Sequence, residues 1–298
     1  MEFLVQTIGS IIPQSSVACT QLFFINKKIF NKYYLWFLTF ILTFAIILFR
    51  KKLSSPLQCN LHLIDNYTSK YPYIALIIDD RTSQELVNAV INILQHIPTD
   101  WKIQIITPVQ NWSYYNASSL YSLIVNGRVC MTSLDFPRVD FTGSEYINLL
   151  LTSASLWDQV QGEKILYFQT DSVICSNSSY KLIDFLQYDF IGAPWHSGGC
   201  CNGGFSLRSR RKMLQLFNSD LDRYRLHETN EDVWLSRNLP RVNAHIASTA
   251  VAKQFSVESI YHPRPFAVHK PNFQVLGSLN MKYLCNDCPE VRTISSHC

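Results

Sequence analysis

The sequence predicts an α/β domain, a mixed sheet flanked by helices, standing behind one membrane-spanning segment. Three observations predict it. A continuous apolar run, residues 73–78, is followed by an amphipathic stretch and a second apolar run at 101–107, the strand, helix, strand order that builds parallel sheets. Similar runs recur at 164–170 and 188–195 between stretches of helical spacing. Residues 33–49, YYLWFLTFILTFAIILF, carry no charge over seventeen positions.

Composition narrows the partner classes. At 298 residues, 47% hydrophobic and 13% aromatic, the chain can bury a substantial core and is not disordered by composition. Its net charge of +4 is mild, and no Lys/Arg stripe interleaved with aromatics occurs, which argues against nucleic acid as a partner.

Taken in order, residues 1–32 are a short tail. The apolar segment 33–49 follows, bounded by Lys27, Lys28 and Lys32 on one side and Arg50, Lys51 and Lys52 on the other. It is at the short end of bilayer-spanning length, and Tyr33, Tyr34 and Trp36 suit an interface belt, so it is expected to be a single-pass signal anchor. Equal flanking charge leaves the orientation open. Four Asn-x-Ser/Thr sequons, at Asn66, Asn111, Asn116 and Asn177, and eight of the nine cysteines all follow the anchor, which favours an oxidising lumen for the remainder. Cys285 and Cys288 have the spacing of a zinc or redox pair but no second pair beside them, and are read as disulfide material or inert thiols. Residues 50–70 form a polar stalk, and 71–298 the folded domain.

Within that domain, TSQELVNAVINILQHI reads as a helix with Thr82 and Glu85 spaced as a capping box. WKIQIIT is a strand, and residues 109–145 are loops around short elements such as GRVCMTSL. SEYINLLLTSASLWDQV has helical intervals, with Ser144 as its cap. KILYFQT is a strand ending at Asp171, SSYKLIDFLQ a helix, and YDFIGAPW a strand. SRRKMLQLF and NEDVWLSRNL are helical, and AHIASTAVAKQFSVES opens a further element before FAVHK.

Several residues are chemically suggestive, each with a plainer alternative. Asp79, Asp80 and Asp171 fall at strand ends, where open sheets bind ligands, and a carboxylate there can hold a divalent cation. Asp171 could equally cap the following segment or make an Asx turn. Asn202, Gly203 and Gly204 form a glycine turn where backbone can approach a ligand, or simply an Asn-Gly hairpin. Arg208 could grip phosphate or lie on the surface. Trp195 offers a face for a sugar or a buried core ring. Glu231 and Asp232 begin a helix; a carboxylate there can take a proton from a hydroxyl, although Thr229 and Asp232 also have capping-box spacing. His269 is a metal ligand or an ordinary satisfied histidine.

In their order along the chain, LYFQTDSVIC, DFIGAPW, NGGFSLRSRRKM, EDVWL and FAVHK resemble the GT-A-type glycosyltransferases, and within them a little-characterised family of glycosyltransferase-like domains. The likeness covers roughly residues 71–272. It implies a GT-A-like, Rossmann-like fold that moves a hexose from a nucleotide-sugar donor to a hydroxyl of a glycan or glycoprotein, assisted by a divalent cation such as Mn2+. By position, Asp171 and His269 would hold the metal, and Asp232 would be the general base, with Glu231 helping to place the acceptor. Asn202, Gly203, Gly204, Trp195 and Arg208 would line the substrate site, with Asp80 and Arg81 near the nucleotide. The acidic motif reads Thr170, Asp171, Ser172, one carboxylate where the family has two or three. The family's common layout implies a type II protein of the Golgi or ER membrane with a lumenal catalytic domain. The alternative from another class is a lectin-like member that keeps the fold and binds glycans without transfer.

Overall fold

A computed structural model describes residues 68–135, 143–219 and 229–298. The tail, the anchor 33–49 and the stalk up to residue 67 lie outside the described residues. Among the described residues no helix is long and apolar enough to cross a membrane.

The central sheet has six strands: β1 (Tyr71–Ile78), β2 (Lys102–Thr107), β3 (Val129–Ser133), β4 (Gly162–Phe168), β6 (Phe190–Pro194) and β7 (Cys200–Ser209), in the order β3-β2-β1-β4-β7-β6. A second sheet of three short strands, β5 (Ser172–Ile174), β8 (Ser256–Val257) and β9 (Ala267–His269), runs β5-β9-β8. The chain therefore builds two sheets rather than one. The smaller arises because β4 stops at Phe168 and the chain turns away through Gln169 to pair Ser172 with His269.

β1 to β4 are mutually parallel, and β7 runs antiparallel to β4 and β6. β1 has Ile74, Ala75 and Leu76 wholly buried, consistent with a parallel strand covered on both faces. Each such Ile or Leu contributes about 2 kcal/mol of burial. Because β2 and β3 lie to one side of β1 and β4 to the other, the order reverses between β1 and β4. A crevice opens at the carboxyl ends of the strands at such a switch point.

The principal helices are α1 (Gln84–His96), α2 (Gly143–Leu151), α3 (Arg210–Phe217), α4 (Glu231–Asn238), α5 (Thr249–Phe255) and α6 (Phe273–Asp287). α1 is capped by Ser83, whose side chain accepts from Leu86 N at 3.1 Å, one residue later than the Thr82/Glu85 box expected. The stretch read as one helix over 144–160 is two, because Thr152 and Ser153 interrupt it before a short helix at Ala154–Gln159. SSYKLIDFLQ gives only a 3-10 turn, Leu182–Phe185. Leu182 and Phe185 are buried while Ile183 stays 69% exposed, so two apolar anchors are met by one turn without a longer helix.

The expectation of disulfides is met. Cys175 is bonded to Cys288 and Cys285 to Cys298. Cys285 and Cys288 thus face different partners, which excludes a metal or redox pair between them.

Candidate active site

β1 ends in Asp79, Asp80 and Arg81. Arg81 folds back on Asp79, with Nε 2.9 Å from Oδ1 and Nη2 2.9 Å from Oδ2, while its own N–H donates to Oδ1 at 3.0 Å. Asp79 is buried and the Arg81 side chain is 69% exposed, so this two-pronged pair stiffens the loop without filling the crevice. Asn111 Nδ2 donates to Asp80 O at 2.9 Å and Tyr115 OH to Arg81 O at 2.8 Å, fixing the same backbone from below. Above the loop lies a cleft of ≈ 370 Å³ bounded by Asp79–Arg81, by Tyr146 and Leu150 of α2, and by Asp171.

Asp171 is set at that cleft by the pairing of β5 with β9, which places His269 beside it. His269 Nε2 is 3.3 Å from Asp171 Oδ1 and 3.2 Å from Gln169 Oε1. Burial pushes the Asp171 carboxyl up, but His269 and Lys270 outweigh it and hold it below the ordinary carboxylate range. Asp171 Oδ1 is buried with no hydrogen-bond partner. An orphaned carboxylate oxygen facing an imidazole nitrogen is a donor pair that fits a divalent cation, and such sites are commonly completed by substrate phosphates and water. Among the described residues no group of three or more His, Cys, Asp or Glu side chains surrounds one point. Any cation here would therefore take Asp171 and His269 from the protein and complete its shell with substrate phosphate and water.

The glycines are not a turn. Asn202, Gly203 and Gly204 lie within β7, and the β6–β7 turn is made by Gly198 and Gly199, with φ of +91° and +87°. Two steps along β6, Ile191 to Ala193, face five along β7, Leu207 to Asn202, so β7 bulges there. Gly204 keeps its place on the β4 ladder, its carbonyl accepting from Gln169 N at 3.0 Å. A Cβ on Gly204 would collide with the His269 ring, and one on Gly203 would lie 2.7 Å from Arg208 Nη2. Both residues are glycine because side chains from other elements occupy the space.

α4 completes the site. Its N-cap is Asn230, not Thr229. Asp232 instead accepts from Gly203 N through Oδ2 at 3.1 Å and from Val233 N through Oδ1 at 2.7 Å. Burial pushes its carboxyl above the ordinary range, against the pull of those two N–H groups. Glu231 turns inward to Arg208, and burial raises it also, with Arg208 opposing. A second cavity, ≈ 200 Å³, is lined by Asn202, Gly203, Asp232, Glu258, His269 and Lys270, and it shares Gln169 and Ile147 with the larger cleft.

Residues 131–269 match a family described as a protein of unknown function, DUF5672. That span holds Asp171, Asn202 to Gly204, Asp232 and His269. No curated protein matches the sequence. Among solved structures, the glycosyltransferase GlyE of Streptococcus pneumoniae TIGR4 is similar at 13% identity and a TM-score of 0.45, over 76% of this chain and 62% of that one. The mannosyltransferase PcManGT of Pyrobaculum calidifontis, solved with GDP-Man and Mn2+, is similar at 8% identity and a TM-score of 0.43, over 68% and 61%. S. aureus TarS 1-349 is similar at 8% and 0.40, over 72% and 65%. The chain thus spans less than two thirds of the length of each.

The structure brings together Asp171, His269, Asn202, Gly203, Gly204, Glu231 and Asp232, and sets Asp80 and Arg81 on the adjoining cleft. Two expected residues fall elsewhere. Arg208 is wholly buried, bonded to Ser206, Gly203 O and Glu231, with its guanidinium 5.0 Å from the Tyr167 ring centre and 5.5 Å from that of Phe190. It is a structural cation and cannot reach a phosphate. Trp195 lies in the β6–β7 turn, bonded backbone to backbone with Gly198 and Gly199, and lines neither cavity. Gln169, Lys270 and Glu258 line the site without having been singled out in the sequence, and Glu258, just past β8, lies in a segment without motif or period.

Proposed function

We propose that this protein transfers a sugar, a hexose, from a nucleotide-sugar donor to a hydroxyl of a glycan or glycoprotein acceptor. The observation that carries the reading is Asp232, a carboxylate held by two backbone N–H groups at the wall of a small cavity that His269, the partner of Asp171, also lines.

The larger cleft at the β1–β4 switch point takes the nucleotide, with the loop of Asp79 to Arg81 beside it. Asp171 and His269 would hold a divalent cation, Mn2+ by the resemblance, which when bound neutralises charge on the leaving diphosphate. Each Asp232 oxygen keeps a lone pair beyond its backbone bond, so it can take the acceptor proton. As the acceptor oxygen bonds to the anomeric carbon, the bond from that carbon to the diphosphate oxygen breaks. The diphosphate leaves with the electron pair, and the anomeric configuration inverts. Glu231, neutralised by Arg208, keeps the start of α4 in place rather than touching the acceptor.

The same reading places the domain in the lumen of the Golgi or ER, anchored as a type II single-pass protein by residues 33–49. In support stand the disulfides and the exposed side chain of the Asn177 sequon. Glycosidase treatment should shift the chain's mobility, and Asn177→Gln should reduce that shift by one glycan.

The deciding experiment offers the full-length protein in detergent a panel of nucleotide sugars and acceptor glycans with Mn2+, then with chelator. Chelator-sensitive transfer from one donor, lost in Asp232→Asn with donor binding retained, is expected. Donor-independent glycan binding with no transfer under any condition would replace this reading with the lectin-like one.

A further inference from the structure

We propose that Glu258 holds a hydroxyl of the sugar being transferred and so decides which sugar is accepted. The inference rests on the sugar-transfer reading above and assigns a specificity residue within it.

β8 pairs in parallel with β9, Val257 opposite Val268, so the next residue, Glu258, comes level with His269. Its backbone is fixed there by Asn272 N, which donates to Glu258 O at 2.8 Å. The side chain lines the smaller cavity, where the charges of His269, Asp232, Lys270 and Asp171 all act on it. Glu258 therefore shares one cavity with His269, of the Asp171–His269 corner, and with Asp232, the base. In an in-line displacement the leaving oxygen is at the first and the incoming oxygen at the second, and the sugar ring must lie between them. A side chain in that position faces the ring.

The carboxylate has capacity to spare. Among the described residues its only hydrogen bond is a long one, 3.4 Å, from Asn202 Nδ2 to Oε1. Asn202 is itself oriented by Gly204 N, which donates to Oδ1 at 2.9 Å and so turns the amide nitrogen toward Glu258. A carboxylate only accepts, so its open oxygen is suited to a hydroxyl donor. A sugar whose hydroxyl points elsewhere would leave that half-buried carboxylate without a partner, and sites built to bond a substrate hydroxyl discriminate against the analogue lacking it.

The test uses the full-length protein in detergent with Mn2+ and measures calorimetric affinity for nucleoside diphosphates and for sets of nucleotide sugars that share a nucleotide but differ in the sugar. Wild type is expected to prefer one sugar over its epimers by about tenfold or more, the worth of one hydrogen bond to a charged group. Glu258→Gln and Glu258→Ala should bind the bare nucleoside diphosphate as wild type does, yet treat the epimers within about twofold of one another. Preserved discrimination in both variants would overturn the assignment. So would an equal loss of diphosphate binding, which would make Glu258 a structural or diphosphate residue. If wild type binds no nucleotide or nucleotide sugar at all, the sugar-transfer reading itself falls, and the assignment with it.

Discussion

Arg208 and Glu231 form an ion pair sealed inside the protein, with Nη2 2.8 Å from Oε1 and both side chains almost without solvent contact. The pair ties β7 to the first turn of α4, so that the next residue, Asp232, faces Gly203 and the cavity.

Removing one partner should therefore cost far more than removing both. Arg208→Met leaves Glu231 buried and unpaired, and is expected to lower unfolding free energy by about 3–5 kcal/mol in denaturant titration. Arg208→Met combined with Glu231→Leu should recover much of that loss. A double variant no more stable than the single one would show that the pair is not what the arginine stabilises.

Gly204→Ala tests the fit of the bulge against His269. The new methyl group would occupy the place of the imidazole and lie 2.8 Å from Gln169 Oε1. Metal-dependent donor binding should weaken at least tenfold, the range seen when a ligand's orienting contacts are lost. Mn2+ titration followed by water-proton relaxation measures it, and unchanged affinity would detach the glycine from any role at the Asp171–His269 pair.

The pH dependence of turnover should carry the mark of Asp232. A base must be ionised, and burial raises the pH needed to ionise this one. The rate should thus fall on acidification at a higher pH than an exposed aspartate, with its pKa near 3.9, would give. Asp232→Asn should remove that acid limb and cut kcat by about 10² to 10⁴. A profile flat down to the ordinary aspartate range would assign the base elsewhere.

Cys175 follows directly on β5, and its bond to Cys288 closes a loop with a sequence separation of 113. Constraining so long a loop in the unfolded chain is worth about 4–5 kcal/mol in the chain-entropy account. Cys175→Ser is expected to lower stability by an amount of that order in denaturant titration under oxidising conditions. It should also weaken metal binding, because β5 carries the strand pairing beside Asp171. Loss of stability without loss of metal affinity would separate the two.

Much of this arrangement is legible in the sequence, and the exceptions have causes. The runs at 73–78, 102–107 and 164–168 announce themselves as strands because parallel strands are covered on both faces and need no polar alternation. Their ends locate the crevice, and hence Asp79, Asp80 and Asp171. Asn202-Gly203 misleads because the same two residues that favour a tight turn also suit a bulge crowded by other side chains, which only the tertiary structure supplies. Arg208 misleads in the same way. A lone arginine in a strand looks free until Tyr167, Phe190 and Glu231, from three other elements, close around it. Glu258 is invisible for a related reason. Its place depends on β8 finding β9, across a segment that carries no periodic signal.

The pairing of Ser172 with His269 also orders events during synthesis. All six strands of the large sheet have been translated once Ser209 is made, so that sheet can assemble before the chain is complete. Asp171 must wait for β9 and for Cys288 to be translated before its neighbours exist. A message truncated between these points would yield a product that has every strand of the large sheet but lacks the His269 partner of Asp171. The pairing of Asp171 with His269 is thus among the last features the nascent chain acquires.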